Sequence, residues 1–201
     1  MRQKTKIAVR NAFITTASII GLLVIISLLV QTEFKVDEDI LSDEVKQYQP
    51  LVEKYAKKNE VENYVDILLA MMMQESGGRG NDPMQASESY CGERNCIKDP
   101  EQSIKQGVYY FSETLNAADG DLELAIQSYN FGRGFIEYAL ENKGEYTQEV
   151  AINFSQKMYE SAANKSKYRC LREGAREINA CYGDIYYVQD ILAMREKLNS
   201  G

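Results

Sequence analysis

With 201 residues the chain has room for one membrane segment and one compact domain of ordinary size. It carries 30 acidic and 23 basic side chains and no histidine. The missing imidazole excludes Ser-His-Asp and Cys-His nucleophiles and most catalytic zinc centres, which leaves carboxylate chemistry.

Residues 1–11 are basic, with Arg2, Lys4, Lys6 and Arg10, and the run Ala12–Val30 beyond them holds no charged residue. Such a run meets the length needed to cross a bilayer core, about 20 residues. Glu33, Asp37, Glu38 and Asp39 come next. The positive-inside rule therefore predicts a cytoplasmic N-terminus and an extracellular remainder. The run exceeds the roughly 7–15 apolar residues of a signal peptide. Leu28-Leu29-Val30-Gln31-Thr32 offers no small-x-small cleavage site, so the expectation is an uncleaved, single-pass anchor in the cell membrane. Beyond it lie all 30 acidic and 19 of the basic residues, a net charge of −11. That charge argues against nucleic acid or an anionic lipid surface as partner of the exported part.

Residues 31–50 read as a polar stalk or an early helix. From Leu51 onward apolar residues recur at helical spacing: Leu51, Val52, Tyr55 and Ala56, then Val65, Leu68, Leu69 and Met72. The same spacing returns at Ile104, Val108, Phe111 and Leu115, and at Leu122, Ala125, Ile126 and Tyr129. Alternating strand-like runs are scarce, so 51–201 is expected to be an all-α domain. Two breaks interrupt the pattern, a long loop from Gly77 to Pro100 and a short one at Asn130-Phe131-Gly132-Arg133-Gly134. Loops of the first kind inside a compact domain are more often functional than idle. Residues 161–182 read as a surface excursion before a last helix, Tyr187–Leu198.

Cys91, Cys96, Cys170 and Cys181 all lie in the exported part, where thiols oxidise. Two disulfides are expected, and the short separations suggest local staples among the three possible pairings. Without histidine or CxxC spacing the cysteines do not suit zinc, and no metal or cofactor is predicted.

One carboxylate stands out. On a helix through Val65–Glu75, Leu68, Met71, Met72 and Glu75 fall at i, i+3, i+4 and i+7, which puts Glu75 on an apolar stripe. Burial disfavours the anion, and so does the negative end of the helix dipole at the last turn. A carboxyl kept protonated near neutral pH is what glycoside cleavage needs, since the departing sugar oxygen must receive a proton. The competing reading is a helix-terminal glutamate that reaches solvent or pairs with Arg79.

At Met73-Gln74-Glu75-Ser76-Gly77-Gly78, Asp82-Pro83-Met84-Gln85 and Ser128-Tyr129-Asn130-Phe131-Gly132 the sequence resembles the lysozyme-like, goose-type and lytic transglycosylase superfamily. The likeness is greatest to the cell-wall hydrolases (muramidase domains) of Gram-positive bacteria and their conjugative elements. It runs from about Leu51 to Phe154, and Tyr182-Gly183-Asp184 with Tyr187-Val188-Gln189-Asp190 looks like the closing motif. The resemblance implies Glu75 as catalytic acid/base with Ser76 beside it. It also implies Met84 and Gln85 as substrate-lining residues, Tyr129 and Asn130 as sugar contacts, and Tyr187 as the late tyrosine that approaches Glu75. Tyr146 is a weaker candidate for that last role. Asp82 matches a second carboxylate of this subgroup, and it also reads as a turn former before Pro83. With no tryptophan, sugar stacking would fall to Tyr90, Tyr129 or Tyr187.

The implied activity is cleavage between N-acetylmuramic acid and N-acetylglucosamine in peptidoglycan. Water accomplishes it in a hydrolase, and the sugar's own hydroxyl in a lytic transglycosylase. The other class of function is a non-catalytic wall-binding or assembly module of a wall-spanning secretion or conjugation machine. A buried acid at Glu75 together with Gln85 and Asn130 speaks against that class.

Overall fold

The computed structural model describes residues 41–200 together with Thr16, Ile20 and Gly21, which are helical. The chain divides into two compact units, residues 1–39 and 40–201. Apart from those three residues, the expected anchor Ala12–Val30 lies outside the described residues. Among the described residues no helix is long and apolar enough to cross a membrane.

The second unit is built of helices and loops and has no strand among its described residues. In chain order its α-helices are α1 (Asp43–Lys46), α2 (Gln49–Lys58), α3 (Val65–Glu75), α4 (Ser87–Cys91) and α5 (Pro100–Ala117). They are followed by α6 (Leu122–Phe131), α7 (Gly134–Asn142), α8 (Gln148–Ser161) and α9 (Tyr187–Ser200). Several starts are written in the sequence. Ser42, Asp99, Asp121 and Thr147 each accept a hydrogen bond from a first-turn backbone N–H of α1, α5, α6 and α8. Pro100 opens α5 at the position where a missing N–H costs nothing.

α3 is the axis of the unit. Ile67 through Met72 are all buried, so this helix is covered on every side rather than along one stripe. α2 and α9 pack against it, α5 packs on α2 and α6, and α6 in turn packs on α9. Phe131, Phe135, Phe154 and Tyr182 close the far end as a cluster of tilted and edge-on rings.

Residues 41–50, read as the end of a stalk, belong instead to this folded unit. Leu41 and Val45 are buried, and Ser42 Oγ donates to the Gly77 carbonyl at 2.9 Å. The turn after α3 has φ +77° at Gly78, where a Cβ would come within 2.5 Å of the Glu44 carbonyl oxygen. This close approach explains why a short polar helix stays docked. The long loop contains α4, and 162–186 is irregular, with one 3-10 turn at Lys165–Lys167. Both local disulfides are present, Cys91–Cys96 and Cys170–Cys181.

Candidate active site

Three segments meet at the C-terminal end of α3. Glu75 is its last residue, the loop from Ser76 to Ala86 leaves from it, and the closing turn 182–186 arrives from the opposite side. Ser76 anchors the departure, its Oγ donating to the Pro83 carbonyl at 2.8 Å and accepting from Gly78 N–H at 3.0 Å. Its hydroxyl is thus spent on the loop.

Asp82 organises the second half of that loop. Its Oδ1 accepts from Ala86 N–H at 2.9 Å and Ser103 Oγ at 2.6 Å, and its Oδ2 from Ser87 N–H at 3.0 Å and Ser87 Oγ at 2.6 Å. The carboxylate is buried and takes four donors, two of them hydroxyls. Ser103 also accepts from Met84 N–H, and the Met84 carbonyl accepts the Tyr129 hydroxyl at 2.8 Å. Gly107 on α5 leaves the space this needs, since a Cβ there would lie 2.6 Å from Met84 Cβ and 2.9 Å from the Tyr129 hydroxyl. Gln85, exposed beside buried Met84, takes φ +48° and ties its own amide to the Asp82 carbonyl at 2.9 Å. Left-handed backbone at a side chain of this size costs on the order of 1–3 kcal/mol and collects at functional sites.

The opposite wall comes from α6 and the closing turn. Asn130 Oδ1 accepts Asp184 N–H at 2.7 Å, and Gln127 Nε2 donates to the Asp184 carbonyl at 2.9 Å. Gly183 permits this contact. Its φ is +61°, and a Cβ would lie 2.6 Å from the Phe131 ring and 2.7 Å from Asn130 Oδ1. One turn further on, Tyr187 is buried and its hydroxyl donates to Glu75 Oε1 at 2.7 Å.

Glu75 is partly buried, with its neighbours almost wholly apolar along α3. Its carboxyl is raised from 4.5 to about 7: burial pushes it up most, the Tyr187 hydroxyl pulls it down, and the negative charges of Asp184 and Asp82 add to the rise. Tyr187 and Tyr129 are themselves held well above the ordinary phenol value by burial, then by the charge of Glu75, so each remains a donor at neutral pH.

The cleft above Glu75 holds about 460 Å³ and is lined also by Asp82, Gln85, Tyr129 and Asn130. Five of the residues expected from sequence are thus brought together. Two others are placed differently, and Tyr187 approaches Glu75 as expected but lies buried rather than open to a sugar. Met84 is fully buried and contributes its backbone, and Ser76 serves the loop. Tyr146 does not reach the site, its hydroxyl lying 3.4 Å from Gln148 Oε1. Tyr90 is exposed in a separate hollow with Tyr109.

Sequence reasoning predicted the two local disulfides but not that their loops line the cleft. The Cys91–Cys96 loop puts Arg94 and Asn95 at the cleft, with Arg94 paired to Glu88 at 3.1 Å, and the Cys170–Cys181 loop contributes Leu171. Their signal was available: an exported cysteine pair closing a short loop holds that loop still for a reason. Among the described residues no group of acidic or cysteine side chains could hold a metal ion.

A family model described as lysozyme-like matches residues 42–195. Among curated proteins, the chain is 45% identical over 115 residues to the bifunctional muramidase/DL-endopeptidase CwlT of Bacillus subtilis (strain 168), covering 57% of this chain and 35% of that protein. The uncharacterized membrane protein YocA of the same organism is 38% identical over 159 residues, covering 76% of this chain and 68% of YocA. Pneumococcal vaccine antigen A of Streptococcus pneumoniae serotype 4 is 33% identical over 125 residues, with 61% and 60% covered. Among solved structures, a protein from Staphylococcus aureus subsp. aureus Mu50 described as similar to lipoprotein, NLP/P60 family, superposes with a TM-score of 0.66 at 38% identity. It covers 77% of this chain and 53% of its own. The chain thus spans about a third of CwlT and half of the solved relative.

Proposed function

Because the chain belongs to the lysozyme-like family, we propose that it cuts the glycan strands of peptidoglycan between N-acetylmuramic acid and N-acetylglucosamine, with Glu75 as acid and then base. The observation that carries this reading is a carboxyl held up at about 7 by burial, facing an open cleft, with a phenol hydroxyl on one oxygen. Protonated, Glu75 hands its proton to the departing sugar oxygen. The anion that forms is stabilised by Tyr187, which stays neutral and loses no bond in the process. Glu75 then receives a proton from water or from the sugar's own hydroxyl. The muramidase in the name of CwlT supports the same reaction class.

Asp82 acts through the loop. With four donors on its two oxygens, it fixes Gln85 and the wall of the cleft, and its charge helps keep Glu75 protonated. The charge-free run Ala12–Val30 supports a membrane-anchored protein with this unit outside the cell.

The test is the full chain against its Glu75→Gln variant on purified peptidoglycan, followed by dye release and by mass spectrometry of the fragments. Cleavage by the wild type and none by the variant is expected. Equal activity in both would overturn the assignment of Glu75, and no activity in either would favour the wall-binding reading. Reducing muramic ends mark a hydrolase, and anhydro ends a lytic transglycosylase.

A further inference from the structure

The closing turn carries its own electrostatic problem. Asp184 is buried and negatively charged beside Glu75, which is itself disfavoured as an anion. Its partner comes from inside the Cys170–Cys181 loop. Arg172 Nε donates to Asp184 Oδ1 at 2.7 Å and Nη2 to Asp184 Oδ2 at 2.6 Å, a two-pronged pair. The same Nη2 donates to Asp190 Oδ2 in the first turn of α9. Asp190 also receives Gln74 Nε2 at 3.4 Å, from the residue before Glu75.

Tyr187 sits midway between the two carboxylates that Arg172 joins, three residues from each. Asp184 is held on one side by Asn130 and Gln127 of α6, while its Oδ1 accepts Tyr186 N–H at 3.0 Å. Asp190 is tied through Gln74 to the end of α3. The guanidinium thus fixes both ends of the turn that carries the Tyr187 hydroxyl, and the disulfide fixes the short loop that carries the guanidinium.

We propose that Arg172 is a positioning residue of the site: by bridging Asp184 and Asp190 it holds the start of α9 in the register that puts the Tyr187 hydroxyl on Glu75. The proposal rests on the reading of Glu75 as the acid. Four groups face Glu75: Tyr187 from α9, Tyr129 from α6, Asp82 from the loop after α3, and Asp184 from the closing turn. Without Arg172 the Asp184 charge is uncompensated and Tyr187 is released. The unbalanced charge and the lost hydrogen bond both push the Glu75 carboxyl upward.

The experiment tracks Glu75 directly, by NMR titration of carboxyl-labelled glutamate in the full chain in micelles, its signal assigned by absence in Glu75→Gln. In Arg172→Met the Glu75 midpoint is expected to rise by roughly half a pH unit or more. On soluble glycan fragments kcat is expected to fall at least about tenfold with little change in KM, as for a lost transition-state contact. Arg172→Lys keeps the charge and the stem but cannot bridge both carboxylates. It should shift both readouts in the same direction by less, and it carries the test if Arg172→Met does not fold. A folded Arg172 variant whose Glu75 titrates as in wild type, with unchanged kcat, overturns the proposal. If the wild type does not cut peptidoglycan while the Glu75 midpoint still rises in the variants, the positioning role stands and the enzymatic reading falls.

Discussion

Replacing Glu75 by Gln should stabilise the protein above neutral pH and leave it unchanged near pH 4. The value of about 7 in the folded chain lies above the 4.5 of an ordinary glutamate, so the folded state holds this proton more tightly than the unfolded state does. The contribution of Glu75 to stability is therefore fully present below about pH 4.5 and is lost as pH rises through 7. The gap between those values corresponds to roughly 3 kcal/mol, and partial exposure to solvent reduces it to about 2–3 kcal/mol. Gln keeps the shape and still offers Tyr187 an acceptor but has no proton to lose. For a unit of this size each kcal/mol moves the melting temperature by about 2–4 °C. The melting curve of Glu75→Gln should thus rise above wild type by about 4–12 °C between pH 4.5 and pH 8. Circular-dichroism melts of both proteins across that range measure the difference at each pH. Parallel pH profiles would refute the reasoning, because they would mean that Glu75 titrates alike in the folded and unfolded chains.

Tyr187→Phe removes a hydrogen bond to a charged acceptor, worth about 1.5–3 kcal/mol, so Glu75 should titrate about one pH unit or more higher. The alkaline limb of kcat/KM should move up with it while kcat falls, as a pH–rate profile would show. Asp82→Asn turns one of two saturated oxygens into a donor that faces donors, at a cost of about 1–3 kcal/mol. Thermal melts should show that loss, and activity should drop through displacement of Gln85 and Tyr129. Gly183→Ala meets both a φ of +61° and the Asn130 oxygen, so it should cost about 2 kcal/mol or more and lower kcat in the same assay. Removing the Cys170–Cys181 pair by double substitution to Ser should cost about 3 kcal/mol by loop entropy and reproduce the Arg172 phenotype in a Glu75 titration.

Local chemistry was legible in the sequence and distant pairing was not. Apolar spacing located the helices from Leu51 to Tyr129, and Glu75 was found because it ends an apolar segment inside a dense motif. The stripe drawn through Leu68, Met71 and Met72 understated the helix, since Leu69 and Ala70 are buried as well. Periodicity sees amphipathic helices, and a central helix has no polar face to create the period. Leu41 and Val45 escaped for the opposite reason. Two apolar positions in a polar stretch give no pattern, and their burial depends on a glycine turn more than thirty residues away. Motif resemblance singled out Met84 and Ser76 but not what each does. Whether a side chain faces the cleft or the core depends on α5 and Gly107, which the loop sequence does not contain.

The contrast between the two carboxylates arises from that same long-range packing. Glu75 and Asp82 line one cleft and are seven residues apart, yet their surroundings differ. Asp82 receives four donors, including Ser103 from a helix it could not be known to meet, and they hold its carboxyl in one place. Glu75 receives one donor against an apolar helix, with Asp82 and Asp184 repelling its charge. Asp82 therefore strengthens the role of Glu75: a charge held nearby makes a poorly solvated neighbour keep its proton. Converting Asp82 to a neutral residue removes one source of that repulsion as well as the loop's anchor. Rescuing the loop alone would leave a site whose acid gives up its proton at lower pH, and whose activity falls off earlier as pH rises.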